Sequence, residues 1–84
     1  MSTTAVSGKQ VARTTAGKFL GITVGTSPTY GKYSIHDCAD VGQANAMNCI
    51  YPQNFGSTDG VTVKSGIVVM TVDGSGSFTV THSS

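Results

Sequence analysis

The chain has 84 residues with five Lys or Arg, four Asp or Glu, and a formal net charge of +1. A chain of this length forms one small domain that buries only about 60% of its unfolded surface, so its core is marginal. It has no dense basic cluster and no apolar run near the roughly 20 residues that span a bilayer, so we expect neither nucleic acid nor a membrane as a partner.

The composition favours β-structure. The chain contains one Leu, ten Val and twelve Thr, and β-branched side chains pack well on a pleated strand. Eleven Gly and ten Ser indicate many turns. We therefore predict an all-β fold, as a small β-sandwich or jelly-roll-like domain of six to seven short strands.

The first part of the chain is predicted to be a flexible basic N-terminal arm over residues 1–16, followed by a single β-sandwich domain over residues 17–84. The first eight residues are rich in Ser and Thr, as unstructured chain ends often are. Lys9, Arg13, Lys18 and Lys32 all precede the first acidic residue. A basic arm of this kind can lie on an acidic partner surface, and the alternative is a solvated tail.

Alternating apolar residues predict the strands in the middle of the chain. In residues 18–25 one face is formed by Leu20, Ile22 and Val24. A turn follows at residues 26–31, and residues 32–38 alternate again with Tyr33 and Ile35 on one face. Residues 39–45 are predicted to be a loop, residues 46–51 a strand, and residues 61–64 another short strand.

The last twenty residues are predicted to form a β-hairpin. Its two strands, residues 67–72 and 77–82, flank the turn sequence Asp73-Gly74-Ser75-Gly76, in which glycine supplies positive φ angles. The first strand is apolar on both faces, so we expect it to be central in the core, with a second sheet or another subunit over its second face. The second strand alternates, with Phe78 and Val80 on the apolar face.

The residues that usually carry chemistry are few and scattered. His36, Cys38, Cys49 and His82 fit no short metal-ligand spacing, and the four Asp residues are accompanied by no Glu. The two cysteines are predicted to be buried thiols, as suits synthesis in a reducing cytoplasm, with a disulfide between them as the alternative. We expect no catalytic residue, metal site or cofactor, and hence no enzyme activity.

Three segments in order carry a resemblance: GKFLGITV at residues 17–24, KYSIHDCAD at residues 32–40, and GVTVKSGIVVMTVDGSGSFTVTH at residues 60–82. They resemble small bacteriophage virion proteins with the pattern G-K-L-x-G-I-x-V, then x-x-I-x-D, then a closing G-[IL]-x-V-x-x-x-G-x-x-x-x-T-V-x-[YH]. The matching positions are Gly17, Lys18, Leu20, Gly21, Ile22, Val24, Ile35, Asp37, Gly66, Ile67, Val69, Gly74, Thr79, Val80 and His82.

The resemblance implies a capsid decoration (cement) protein that binds the outside of a phage capsid and stabilises it. Such a protein would be a homotrimeric β-sandwich with the major capsid protein as its partner, made in the cytoplasm of the host bacterium and located on the virion surface. On this hypothesis we expect capsid contact through Lys9, Arg13 and Lys18. We expect intersubunit or core packing through a second set, Ile67, Val69, Met70 and Phe78.

The same sequence is compatible with two other functions. The first is a receptor- or glycan-binding module of a phage head fibre or tail, with loops that present Tyr30, Tyr33, Tyr51 and Asn54 for stacking and hydrogen bonding. The second is a soluble β domain whose cysteine pair responds to oxidation.

Overall fold

The structure is a computed structural model that describes residues 2–51 and 61–83. Eight strands in these ranges form two antiparallel four-stranded sheets. The strands are β1 (Ser2–Ser7), β2 (Gln10–Arg13), β3 (Gly17–Thr26), β4 (Tyr33–His36), β5 (Cys49–Tyr51), β6 (Val61–Val63), β7 (Ile67–Thr71) and β8 (Ser77–His82). Two short 3₁₀ turns, Val41–Gln43 and Ala46–Asn48, lie between β4 and β5. The predicted all-β sandwich is confirmed, with eight strands rather than six or seven.

The strand orders are β1-β8-β3-β6 in sheet A and β2-β7-β4-β5 in sheet B. The core lies between the inner faces of the two sheets, where alternate residues of each strand point inward. Its buried apolar side chains include Phe19, Val63, Phe78 and Val80 from sheet A and Ile35, Ile67 and Val69 from sheet B. Of the four residues expected in core or intersubunit packing, Ile67, Val69 and Phe78 therefore lie in the core of the subunit itself. Met70 is half-buried on the outer side of sheet B.

Residues 2–13 are part of the sandwich. β1 pairs with β8 along its whole length, and β2 pairs with β7. Val6 is 5% exposed and joins the core. The prediction of a flexible arm over residues 1–16 is therefore wrong for residues 2–13, and the domain includes strands that precede residue 17. Pairing with two distant strands orders this polar segment, and its local composition gives no sign of that.

The last two strands do not form a hairpin. β7 pairs with β2 and β4 in sheet B, whereas β8 pairs with β1 and β3 in sheet A. Gly74 and Gly76 do have positive φ angles, of 81° and 93°, but their turn carries the chain across the core from one sheet to the other. The Ser75 N–H and hydroxyl donate to the Asp73 carboxylate, which lowers the pKa of that carboxyl. The predicted central position of β7 is confirmed, since Ile67, Val68 and Val69 are all 0% exposed.

A register shift in β3 changes which of its side chains enter the core. Phe19 lies opposite His82 and Gly21 lies opposite Thr81, so one extra residue, Leu20, is inserted between these pairs. A bulge of this kind lets Phe19 and Ile22 point to the same side of the sheet. Phe19 is consequently fully buried while Leu20 is half-buried. The simple alternation that grouped Leu20 with Ile22 is corrected on this point.

Candidate functional site

The outer side of sheet A is a broad surface of small uncharged side chains. Alternation in β1 and β8 sends their odd-numbered residues outward, while Phe78 and Val80 point into the core. In register, Thr81 lies between Thr3 and Gly21, and Thr79 lies between Ala5 and Thr23. We call this surface the sheet A face, and it comprises Thr3, Ala5, Ser7, Thr23, Ser77, Thr79 and Thr81.

The sheet A face is almost without charge. A depression of about 280 Å³ borders it, where Ala5, Ser7, Ser77 and Thr79 meet Gln10, Gly25 and the inward-facing Val6 and Phe78. Lys18, paired with Thr62, is the one Lys, Arg, Asp or Glu within the four strands of sheet A. A surface of small uncharged side chains suits contact with another protein surface, whereas a small ligand is usually enclosed in a deeper pocket.

The three cations expected to contact a capsid lie in different environments. Lys18 is exposed on the outer side of β3. Lys9 is exposed in the turn between β1 and β2 and has a φ of 59°, a left-handed conformation that is uncommon for residues other than glycine. The structure thus separates the two lysines, one on a strand and one in a turn.

Arg13 has an internal role in the fold. Its Nη1 donates to the Ser83 carbonyl oxygen at 2.6 Å, its Nη2 donates to the Ala16 carbonyl oxygen at 2.6 Å, and its Nε donates to the Thr15 carbonyl oxygen at 3.0 Å. Hydrogen bonds from a charged donor are among the stronger ones in proteins. Arg13 therefore fastens the segment before β3 to the end of the chain after β8.

The outer side of sheet B is covered in part by residues 37–48, which we call the covering loop. Its first 3₁₀ turn packs against β7. His36, which is 7% exposed, holds the loop to the sheet. Its Nδ1 lies 2.8 Å from the Asn45 carbonyl oxygen and 2.9 Å from Asn48 Oδ1, and its Nε2 lies 2.8 Å from Ser34 Oγ.

This network fixes the roles of its members. Both oxygens near Nδ1 can only accept, so Nδ1 carries a hydrogen and Nε2 is left to bond with the Ser34 hydroxyl. The order Ser34–His36–Asn48 matches the hydroxyl, imidazole and acceptor order of a nucleophilic triad. Both acceptors, however, belong to the covering loop, so the network anchors that loop. Over β7, the chain's own loop occupies the place expected for a second sheet or another subunit.

Asp37, one of the residues in the resemblance, joins β4 to the turn between β6 and β7. Its carboxylate accepts hydrogen bonds from the backbone N–H groups of Lys64 at 3.0 Å and Ser65 at 2.9 Å, with Gly66 at 3.4 Å. β6 belongs to sheet A, whereas β4 and β7 belong to sheet B. This carboxylate therefore ties the two sheets together.

The cysteines are buried and both remain thiols, in agreement with the prediction. Burial raises the pKa of Cys38, and the nearby carboxylates of Asp37 and Asp40 act in the same direction, while a hydrogen bond from the Asp40 backbone to the sulfur lowers it. The protonated thiol also donates to the Asp40 carbonyl oxygen at 3.4 Å. A raised pKa lowers the thiolate fraction, and the thiolate is the reactive form.

A second surface feature is a groove of about 300 Å³ on the outer side of sheet B, beyond the covering loop. It is lined by Lys32, Tyr33, Ser34, Met70, Thr71 and Val72. Of the residues expected in a glycan site, Tyr30 is 63% exposed. Tyr33 is half-buried rather than presented on a loop, and its ring packs against Phe78 with ring centroids 5.1 Å apart. The side chain of Tyr51 and the whole of Asn54 lie outside the described part of the structure.

Two further observations concern residues 2–51 and 61–83 alone. They contain no group of three or more His, Cys, Asp or Glu side chains placed to hold a metal ion. They also contain no helix long and apolar enough to cross a membrane.

Comparison with known proteins gives a brief result. No family, curated protein or solved structure matches this chain.

The sheet A face was not recognised as a candidate site from the sequence. Its signal was present in the run Ser77, Thr79 and Thr81, which alternates with apolar residues. The matching positions in β1 give no such signal, because residues 2–7 contain one large apolar residue, Val6, and so show little strand periodicity.

Proposed function

We propose that this protein is a structural virion protein that binds the outside of a phage capsid and stabilises the shell. Its partner would be the major capsid protein, and its place would be the virion surface after synthesis in the bacterial host. Binding, without a catalytic step or a cofactor, is the whole of the activity proposed. Shell binding as proposed does not depend on the homotrimer that the resemblance implies.

The sheet A face is the observation that carries this proposal. Its small side chains allow close approach of another protein surface, and its lack of charge limits the desolvation cost of burying it. The single cation Lys18 at its border can meet a carboxylate on the shell. Lys9 is an exposed cation elsewhere, whereas the Arg13 guanidinium is engaged within the subunit, so capsid contact through Arg13 has the least support of the three.

The resemblance supports the same proposal through the fold. Several of its positions have structural roles in the sandwich. Ile35, Ile67 and Val69 are in the core. Asp37 joins the two sheets through its carboxylate, and Gly74 lies in the turn that carries the chain from one sheet to the other. The mechanism is mass action, since a subunit that binds the assembled shell and not its separated parts stabilises the shell.

The test uses shells of the phage that encodes this protein, prepared without it. We expect the purified protein to co-sediment with the shells and to raise their melting temperature. Thr23→Lys, which places a charge in the sheet A face, should weaken binding at least about tenfold. Gln43→Lys, at an exposed position in the covering loop, is the matched control and should bind like the wild type.

Two results would contradict the proposal. One is the absence of co-sedimentation by folded wild-type protein. The other is equal binding by Thr23→Lys and Gln43→Lys, which would place the contact away from the sheet A face.

A second candidate function is a receptor- or glycan-binding module, favoured by the groove beside Lys32, Ser34 and Met70 and by the exposed ring of Tyr30. Tyr30→Ala should then abolish adsorption to host cells or binding to a glycan array while leaving shell binding intact. Unchanged adsorption would remove this candidate.

A further inference from the structure

The outer edge of β1 is not paired with another strand in the part of the chain that the structure describes. β1 is at the edge of sheet A, with β8 as its neighbour, and no other strand among residues 2–51 and 61–83 pairs with it. Gly8 N donates to the Gly76 carbonyl oxygen at 3.2 Å, in register with the β1–β8 ladder. Hydrogen-bonded pairs alternate along an antiparallel ladder. The even-numbered residues of β1 therefore bond to β8.

It follows that the N–H and C=O groups of Thr3, Ala5 and Ser7 point away from β8. The Ser7 N–H is satisfied within the subunit, because it donates to Gln10 Oε1 at 2.7 Å. The peptide groups of Thr3 and Ala5 remain as an open template for another strand. The register of β1 with β8 alone requires this open edge, whatever the function of the protein.

Nothing in β1 opposes the addition of a strand. Monomeric proteins usually protect their edge strands from pairing with other chains by means of charged residues, proline, bulges or very short strands. The sequence of β1, STTAVS, has no charge and no proline, and its register with β8 is regular over six residues. The edge strands of sheet B are different: β2 carries Arg13 and a register shift, and β5 is three residues long with a shift opposite it.

We propose that β1 pairs with β1 of a second copy of this chain, antiparallel about a two-fold axis at Thr4. In this register Thr3 lies opposite Ala5 of the partner subunit, and Ala5 lies opposite Thr3 of the partner subunit. The two copies exchange hydrogen bonds through these four residues, which satisfies every open peptide group of Thr3 and Ala5.

The side chains fit this register. Thr4 meets Thr4 of the partner subunit, and Thr3 stands beside Ala5 of the partner subunit, so no like charges face each other. Sheet A of one copy and sheet A of the second copy then become one eight-stranded antiparallel sheet. The two sheet A faces then form one continuous uncharged surface. The contact is two-fold, and it therefore gives a dimer rather than the homotrimer that the resemblance implies.

The test is the mass of the purified protein in solution, measured by light scattering behind a sizing column over a wide concentration range. Wild type should be a dimer that dissociates on dilution. Ala5→Pro removes an N–H that β8 does not use, in the position where edge strands accept proline. This variant should remain folded by circular dichroism and have its dissociation constant raised at least about tenfold. Ala5→Thr keeps the N–H and is the matched control, which should dimerise like the wild type.

A second measurement covers the case in which Ala5→Pro fails to fold. Thr3→Cys mixed with Ala5→Cys should form a disulfide between copies, because hydrogen-bonded pairs in antiparallel sheets have Cα atoms about 5.5 Å apart. Neither variant alone should cross-link as fast. The proposal would be overturned by a wild-type protein that is a monomer or a trimer, or by a folded Ala5→Pro variant that dimerises with unchanged affinity. It would also be overturned if Thr3→Cys alone or Ala5→Cys alone cross-linked as fast as the mixture of the two. Each of these outcomes leaves the shell-binding test to be decided separately.

Discussion

Phe19→Ala is expected to remove a large part of the stability of this domain. Phe19 is 0% exposed, and its ring is among the largest fully buried side chains. Truncating a buried Phe to Ala costs about 3–5 kcal/mol, from lost apolar transfer and from the cavity left behind. A domain of this size has a total stability of roughly 4–13 kcal/mol, so the variant should lose from about a quarter of that stability to all of it.

The measurement is urea denaturation followed by circular dichroism, with thermal melting as a second readout. For small domains each kcal/mol shifts the melting temperature by about 4–8 °C, so a fall of at least about 12 °C is expected. Leu20→Ala is the control, because Leu20 is the adjacent residue and is half-buried. Its cost should be about 1–2 kcal/mol, in proportion to the smaller area that it buries.

The comparison of these two variants tests the register shift in β3 directly. If Leu20→Ala costs as much as Phe19→Ala or more, then Leu20 and not Phe19 enters the core. The shift between Phe19 and Gly21, and the pairing of Phe19 with His82, would then be wrong.

Three other predictions follow from single contacts. Asp37→Asn should lower the free energy of unfolding in urea by about 1–3 kcal/mol, because it weakens the acceptor of the N–H groups after β6. Asp40→Asn is the control and should cost less, since the Asp40 carboxylate accepts from one exposed N–H. Equal costs for the two variants would refute the role of Asp37 in joining the two sheets. Gly8→Ala should lower the free energy of unfolding by about 1–3 kcal/mol, since a Cβ there would overlap the Ser75 carbonyl oxygen and the Thr71 hydroxyl. Gly42→Ala is the control and should change stability little, because a Cβ at that position meets nothing within 4 Å. Burial raises the pKa of Cys38, so its alkylation at neutral pH should be much slower in native protein than in urea, and equal rates would count against its burial.

The residues of the core were largely predictable because apolar alternation is a local signal. Ile35, Val63, Phe78 and Val80 were placed inward by the period of two, and the structure buries all of them. The alternation failed at Leu20, since a bulge is a property of two paired strands and one strand's sequence does not reveal it.

The candidate site was less predictable than the core. The roles of Arg13 and Asp37 depend on backbone groups far along the chain, at Ser83 and at Lys64. No spacing rule links such positions, so the sequence predicts a capsid-contact cation at Arg13 and only a strand position in the resemblance at Asp37.

Composition and alternation by themselves determined that this is a small all-β sandwich and which side chains of β4, β6 and β8 enter its core. Only the tertiary structure decided that β7 and β8 belong to different sheets and that residues 2–13 supply two strands. The physical reason is that strand pairing is made by backbone groups, which are the same in every residue. A sequence therefore reveals the strands that alternate between apolar and polar residues and which of their faces are apolar. Polar strands at a sheet edge, and the choice of neighbours, depend on how the whole chain packs.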